Sequence, residues 1–244
     1  MSTKLIVVLG ATGIQGGSVV DIFLQDPNWR VRGVTRNASS ASAKKLRSRG
    51  VEVVSANFED VASLAAAFQG ANAIFAVTDF WAPLADEANR SKLRPGQSMP
   101  EWAGEYEFLQ GRNIFDAAAQ AQADHQGLER IVFSSLSHAS QWSKGKYTHV
   151  YHFDSKGNTV EYVKEKHPAL WAKTSLIQVG FYLSNFIHFP FFKPQKVSEY
   201  CQNKQRRPKN RKTASRMHAD RLSTRATTAC TTSQSSSPAT SNCP

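Results

Sequence analysis

Seven residues constrain this chain more than any others: Gly10-Ala11-Thr12-Gly13-Ile14-Gln15-Gly16. They follow at once on Leu5-Ile6-Val7-Val8-Leu9, an unbroken apolar run that suits a strand buried on both faces of a parallel sheet. From Ile14 to Gln25 the pattern becomes that of a mainly apolar helix. Strand, glycine turn and helix in that order make a phosphate-gripping turn. Glycine permits the tight bend, the approach of backbone N–H groups to a pyrophosphate, and close helix–strand packing, while the helix start offers unpaired donors and partial positive charge. Gly10, Thr12, Gly13, Ile14, Gln15 and Gly16 are therefore the first candidate cofactor-binding residues.

The alternation continues. Residues 29–35, 51–55, 73–77, 130–135 and 174–179 read as further strands, and helices are expected over a short stretch before Gly50, over 59–68, 105–123 and 154–166. Strands alternating with helices predict an α/β fold built on a doubly wound parallel sheet, with ligands bound along the edge formed by the strand C-termini. Residues 78–100, with three prolines, read as a long irregular loop of the kind that often carries function.

The net charge of +11 is unevenly spread. Residues 1–192 hold 19 Lys+Arg against 17 Asp+Glu, whereas residues 193–244 hold 11 against 2. All three cysteines (Cys201, Cys230 and Cys243) also lie after residue 192. Residues 1–192 thus carry no disulfide framework and no cysteine-ligated metal site, which suits an intracellular protein. No signal peptide or membrane-spanning run is legible, and the expected location is cytoplasmic, with the nucleus as a further possibility. From Thr213 onward, 14 of 32 residues are Ser or Thr, so two regions are expected: a nucleotide-binding domain over 1–192 and a disordered basic tail over 193–244. Six basic residues in nine over 204–212 would suit a nucleic-acid arm or an import signal, although Tyr200 is the only aromatic there to stack on a base. The abrupt change of composition reads equally as a shifted reading frame or an unspliced intron after about residue 192.

Selectivity for one dinucleotide is set at the end of the second strand. An Asp or Glu there would bond an adenosine 2′-hydroxyl, but this chain has Thr35-Arg36-Asn37. A guanidinium pairs with a 2′-phosphate, so Arg36 points to NADP, with Arg32 or Lys44 as helpers.

The chain resembles the NmrA-like branch of the atypical short-chain dehydrogenase/reductases. The resemblance rests on the glycine segment, Val34-Thr35-Arg36-Asn37, Val77-Thr78-Asp79-Phe80-Trp81, Gln110-Gly111-Arg112-Asn113, Phe153-Asp154-Ser155-Lys156 and Val179-Gly180-Phe181-Tyr182, in family order. It implies NADP binding through the glycine loop, Arg36, Asn57 and Phe58 near the adenine, and Thr78, with Lys156 at the nicotinamide ribose. It also implies that the domain is truncated or altered after about residue 192, where the family's substrate walls arise.

Catalytic members of that superfamily carry Tyr-x-x-x-Lys on a helix, which sets both side chains on one face and lets the ammonium lower the tyrosine pKa. Here His152 stands four before Lys156, and Tyr151 is one position off, about 140° around a helix from the lysine. Neighbouring Lys⁺ is expected to favour neutral His152. Lys156, His152 and Ser135 are the catalytic candidates, with Ser134 and His138 also following the fifth strand. The first expectation is a cofactor-sensing regulator acting through a protein partner such as a transcription factor, as tyrosine-lacking NmrA-like proteins are regarded. The second is an NADPH-dependent oxidoreductase, and the third makes the tail a nucleic-acid arm.

Overall fold

The computed structural model describes residues 3–124 and 127–188. The expected tail, its basic run and the three cysteines lie outside the described residues. The chain divides into Met1–Phe181 and Tyr182–Pro244.

The first unit is a six-stranded sheet in the order β3-β2-β1-β4-β5-β6, with all five neighbouring pairs parallel. Its strands are β1 (Lys4–Leu9), β2 (Trp29–Thr35), β3 (Glu52–Ser55), β4 (Ala73–Ala76), β5 (Arg130–Ser134) and β6 (Thr174–Ile177). The helices between them are α1 (Ile14–Phe23), α2 (Ala41–Ser48), α3 (Val61–Phe68), α4 (Trp81–Ala85), α5 (Met99–Asp124), α6 (Ala139–Trp142), α7 (Tyr151–Lys166) and α8 (Pro168–Trp171). In the second unit the described element is α9 (Asn185–His188). Strand order reverses between β1 and β4, so the crevice beyond their C-termini is the switch point where such sheets take ligands.

Both faces are covered at β1 and β4 in the centre of the sheet, which explains their unbroken apolar runs, whereas β6 at the edge is mostly exposed. Leu5, Val7 and Leu9 of β1 join Leu64, Phe68, Ile114, Phe115 and Val160 on one side. Ile6 and Val8 face the other way, with Val20, Val31 and Leu46. A third cluster of Phe80, Trp102 and Ala103, with Tyr151 against it, sits beside the switch point.

Three expectations change. The stretch 78–100 is not wholly irregular, since it forms α4 and a 3₁₀ turn over Glu87–Lys92. Helix α5 starts at Met99 instead of Glu105, because Ser98 and Glu101 form a reciprocal capping box. Pro100, read as a loop residue, fits the first turn, where its missing N–H has no helical partner to lose. Helix α7 begins at Tyr151 instead of Asp154, which puts His152 on the same helix as Lys156.

Candidate functional site

The glycine loop leaves β1 with Gly10 at φ +63°, and a Cβ there would stand 2.8 Å from Val77 Cγ2. Gly13 N donates to Gly10 O at 2.8 Å, closing the turn. A Cβ on Gly16 would collide with the Gly10 carbonyl, so that glycine lets α1 lie directly against the strand end. Gly13 is the N-cap of α1 and supplies no side-chain cap. Thr12, Gly13 and Ile14 are exposed above it. This is a cradle of backbone at a helix start, and it fits a diphosphate.

Arg36 follows β2 and is exposed, and its carbonyl accepts from Ser55 Oγ at 3.1 Å. Tyr106 of α5 donates its hydroxyl to Glu59. Burial, and then that carboxylate, push the phenol up to about 12, against the opposing charge of Arg36. Asn57 caps the turn into Glu59, and the Phe58 carbonyl accepts from Asn113 Nδ2 at 2.9 Å. Arg36, Asn57 and Phe58 therefore flank the same end of the sheet edge. The other arginine goes elsewhere: Arg32 reaches the end of α3, donating to the Ala67 and Gln69 carbonyls and pairing with Glu52. Its guanidinium is committed to these groups of the fold. Lys44 stands exposed on α2.

Beyond β4, Thr78 and Lys156 are brought together. Lys156 Nζ donates to Thr78 Oγ1 at 2.7 Å and to Glu107 Oε1 at 2.6 Å. Thr78 Oγ1 donates to the same Glu107 oxygen at 2.8 Å, and Ser155 Oγ donates to Oε2. The Glu107 side chain is 1% exposed and that of Lys156 13%. Helix α7 approaches α5 this closely because of two glycines. A Cβ on Gly104 would lie 3.1 Å from Tyr151 Cβ, and one on Gly111 would strike Thr159.

His152 lies beside Phe80 and Trp81, with ring centroids 5.6 and 5.1 Å away. Its pKa is lowered, first by burial; Glu107 raises it, and Lys156 lowers it by less than Glu107 raises it. The imidazole thus favours its neutral form, but the leading cause is desolvation and not the neighbouring lysine. Tyr151 packs on Gly104 of α5, away from Lys156. Ser135 is buried, its hydroxyl donating to the Leu136 carbonyl at 3.4 Å. Among the described residues no hydrogen bond joins it to His152 or Lys156. His138 caps α6 and bonds Asn158 at 2.9 Å and Ser140 at 3.1 Å, bracing the loop after β5 against α7.

Sequence reasoning missed Glu107 and the role of Gln110, whose Oε1 accepts from Asp79 N at 2.9 Å. The signal was available. Glu107 lies four after Ala103 and seven before Ile114, on the inward face of α5, where a carboxylate needs a partner. Among the described residues there is no cluster of three or more metal-ligating side chains, and no helix is long and apolar enough to cross a membrane.

A family model described as the NmrA-like family matches residues 2–238. The NmrA-like family domain-containing oxidoreductase hkm9 of Aspergillus hancockii is 31% identical over 186 residues, covering 76% of this chain and 49% of that protein. The corresponding oxidoreductase FrzB of Cladobotryum sp. is 32% identical over 188 residues, with 76% and 48% covered. This chain spans about half the length of these curated relatives. Among solved structures, the negative transcriptional regulator NmrA in complex with NADP superposes with a TM-score of 0.56 at 21% identity, covering 76% of this chain and 48% of that one. Citrobacter sp. triphenylmethane reductase complexed with NADP(H) gives 0.52 at 20% identity, with 74% and 51% covered. At those identities the likeness shows the fold.

Proposed function

The chain belongs to the NmrA-like family, and from that premise we propose that it binds NADP(H) along the β1/β4 edge and acts as a cofactor-responsive regulator through a protein partner. The glycine cradle would hold the diphosphate, Arg36 the 2′-phosphate, and Asn57 and Phe58 would border the adenine. Thr78 and Lys156 would meet the nicotinamide ribose. The observation that carries the regulatory reading is the Lys156 ammonium, already engaged by Glu107 and Thr78 with no tyrosine on its face. Among the described residues, no tyrosine stands on the Lys156 face to complete the superfamily's tyrosine–lysine proton relay.

The second reading is an NADPH-dependent oxidoreductase, favoured by the names of the relatives and by His152, which shares a helix with Lys156 at the four-residue spacing. The dinucleotide would supply hydride when bound. In that reading the protonated form of His152, the minor one given its lowered pKa, would hand a proton to a substrate oxygen, and Phe80 and Trp81 would exclude water from it.

Calorimetric titration with NADP⁺ and NADPH, followed by a turnover assay on a panel of carbonyls and quinones, separates the two. The regulator binds both forms and consumes no NADPH. Steady NADPH oxidation that is lost in His152→Phe overturns regulation in favour of reduction.

A further inference from the structure

We propose that Glu107 is a positioning residue of the cofactor site: from inside α5 it fixes the Lys156 ammonium against Thr78 and balances its charge before any ligand arrives. The proposal rests on the reading that Lys156 faces the bound dinucleotide.

A buried ion pair is weak evidence for a purely stabilising role, because a well-packed apolar side chain of similar size is often as good or better. Glu107 is nevertheless fully engaged. One oxygen accepts from Lys156 and Thr78, the other from Ser155, and these donors come from α7 and from the loop after β4. The result is a closed triangle of Lys156 Nζ, Thr78 Oγ1 and Glu107 Oε1 with sides of 2.6 to 2.8 Å. An ammonium has three donors. Among the described residues two are used in this triangle, which would leave the third for a ligand hydroxyl. A lysine with four free torsions is thereby held in one place, and the entropy of ordering it is met in folding instead of in binding.

The same geometry sets the field at His152. The charged groups acting on the imidazole are Glu107 from α5 and Lys156 and Asp154 from α7, while the segment starting α4 contributes the rings of Phe80 and Trp81. Glu107 and Lys156 act on His152 in opposite senses. Removing either leaves the other uncompensated.

A double-mutant cycle tests this on the full chain, with Glu107→Gln, Lys156→Met and both together. NADPH affinity is read by calorimetry and the His152 titration by NMR. Glu107→Gln is expected to weaken NADPH binding roughly ten-fold, the scale of a charge-assisted hydrogen bond. In the Lys156→Met background it should change affinity by less than about two-fold, because its effect passes through the lysine. The His152 midpoint should fall in Glu107→Gln and rise in Lys156→Met, whereas a general loosening of the fold would move both the same way. If Glu107→Gln does not fold, Glu107→Asp carries the same cycle: it keeps the charge, and its loss should be smaller and again confined to the background with Lys156. Equal losses in both backgrounds, or His152 shifts of one sign, overturn the proposal alone. A parent protein that takes up no NADPH overturns the cofactor reading itself, and the proposal with it.

Discussion

Arg32 and Arg36 sit four positions apart and are chemically identical, yet the structure assigns them unrelated work. Arg32 lies inside β2 and neutralises the carbonyl end of α3, whereas Arg36 follows the strand and is open to solvent. Arg36→Ala should therefore lower NADP⁺ affinity about ten-fold and leave NAD⁺ affinity and the melting temperature unchanged. Arg32→Ala should do the reverse, destabilising the fold by about 1–2 kcal/mol with the NADP⁺/NAD⁺ ratio unaltered. Calorimetry and urea unfolding on both variants check the pair, and an unchanged affinity ratio in Arg36→Ala would sink the 2′-phosphate assignment. His152 offers a second test at this scale. Its folded pKa lies below the ordinary 6.5, chiefly through burial. The unfolded chain therefore binds the proton more readily, so His152's contribution to stability is fully present above pH 6.5 and is lost as pH falls through the depressed value. Urea midpoints at pH 7.5 and 5.5 should fall further in the parent than in His152→Phe. Identical slopes would show that burial does not disfavour the charged imidazole.

Among the elements, α5 does most to build the site. Its start is set by Ser98 and Glu101, and its inward face then carries Gly104, Glu107, Gln110, Gly111 and Asn113. Glu107 gathers Thr78 and Lys156, Gln110 holds Asp79, and Asn113 holds Phe58, so one helix anchors two loops of the sheet edge and the lysine of α7. The two glycines set the distance between α5 and α7. Gly111→Ala forces its methyl onto Thr159 and should destabilise the protein by about 1–3 kcal/mol. By parting Glu107 from Lys156 it should also weaken NADPH binding, which Gly70→Ala, a strained turn far from this seam, would not do. Ser98→Ala should remove about 1 kcal/mol through the lost cap, with affinity intact. Thermal unfolding and calorimetry together distinguish these outcomes. Helix existence was legible from apolar spacing: Ile114, Phe115 and Ala118 are buried in the core, while Phe108 on the same helix is half-buried. The start of α5 was also written in Ser98-Met99-Pro100-Glu101, but proline drew the reading toward a loop.

At the scale of the first unit, a bound dinucleotide would touch the ends of β1, β2 and β4 and the side of α7, elements separated by more than a hundred residues of chain. Ligand at 100 times its dissociation constant stabilises by about 2.7 kcal/mol. NADP⁺ should then raise the melting temperature by about 5–10 °C and NAD⁺ by less, as read by thermal shift. Equal shifts would argue against a site shaped for the 2′-phosphate. By itself, the sequence determined the strand–helix alternation, the parallel sheet, the glycine cradle and the family, because apolar period, glycine placement and motif order are local properties of the chain. Only the tertiary structure decided which polar residues share a site. Whether Arg32 or Arg36 is open to solvent, whether Glu107 is a surface charge or a buried partner, and why His152 favours its neutral form all depend on which helix lies against which. Hydrogen bonding and desolvation act through distances across space, and Glu107 and Lys156, 49 residues apart, become neighbours only when α5 and α7 pack.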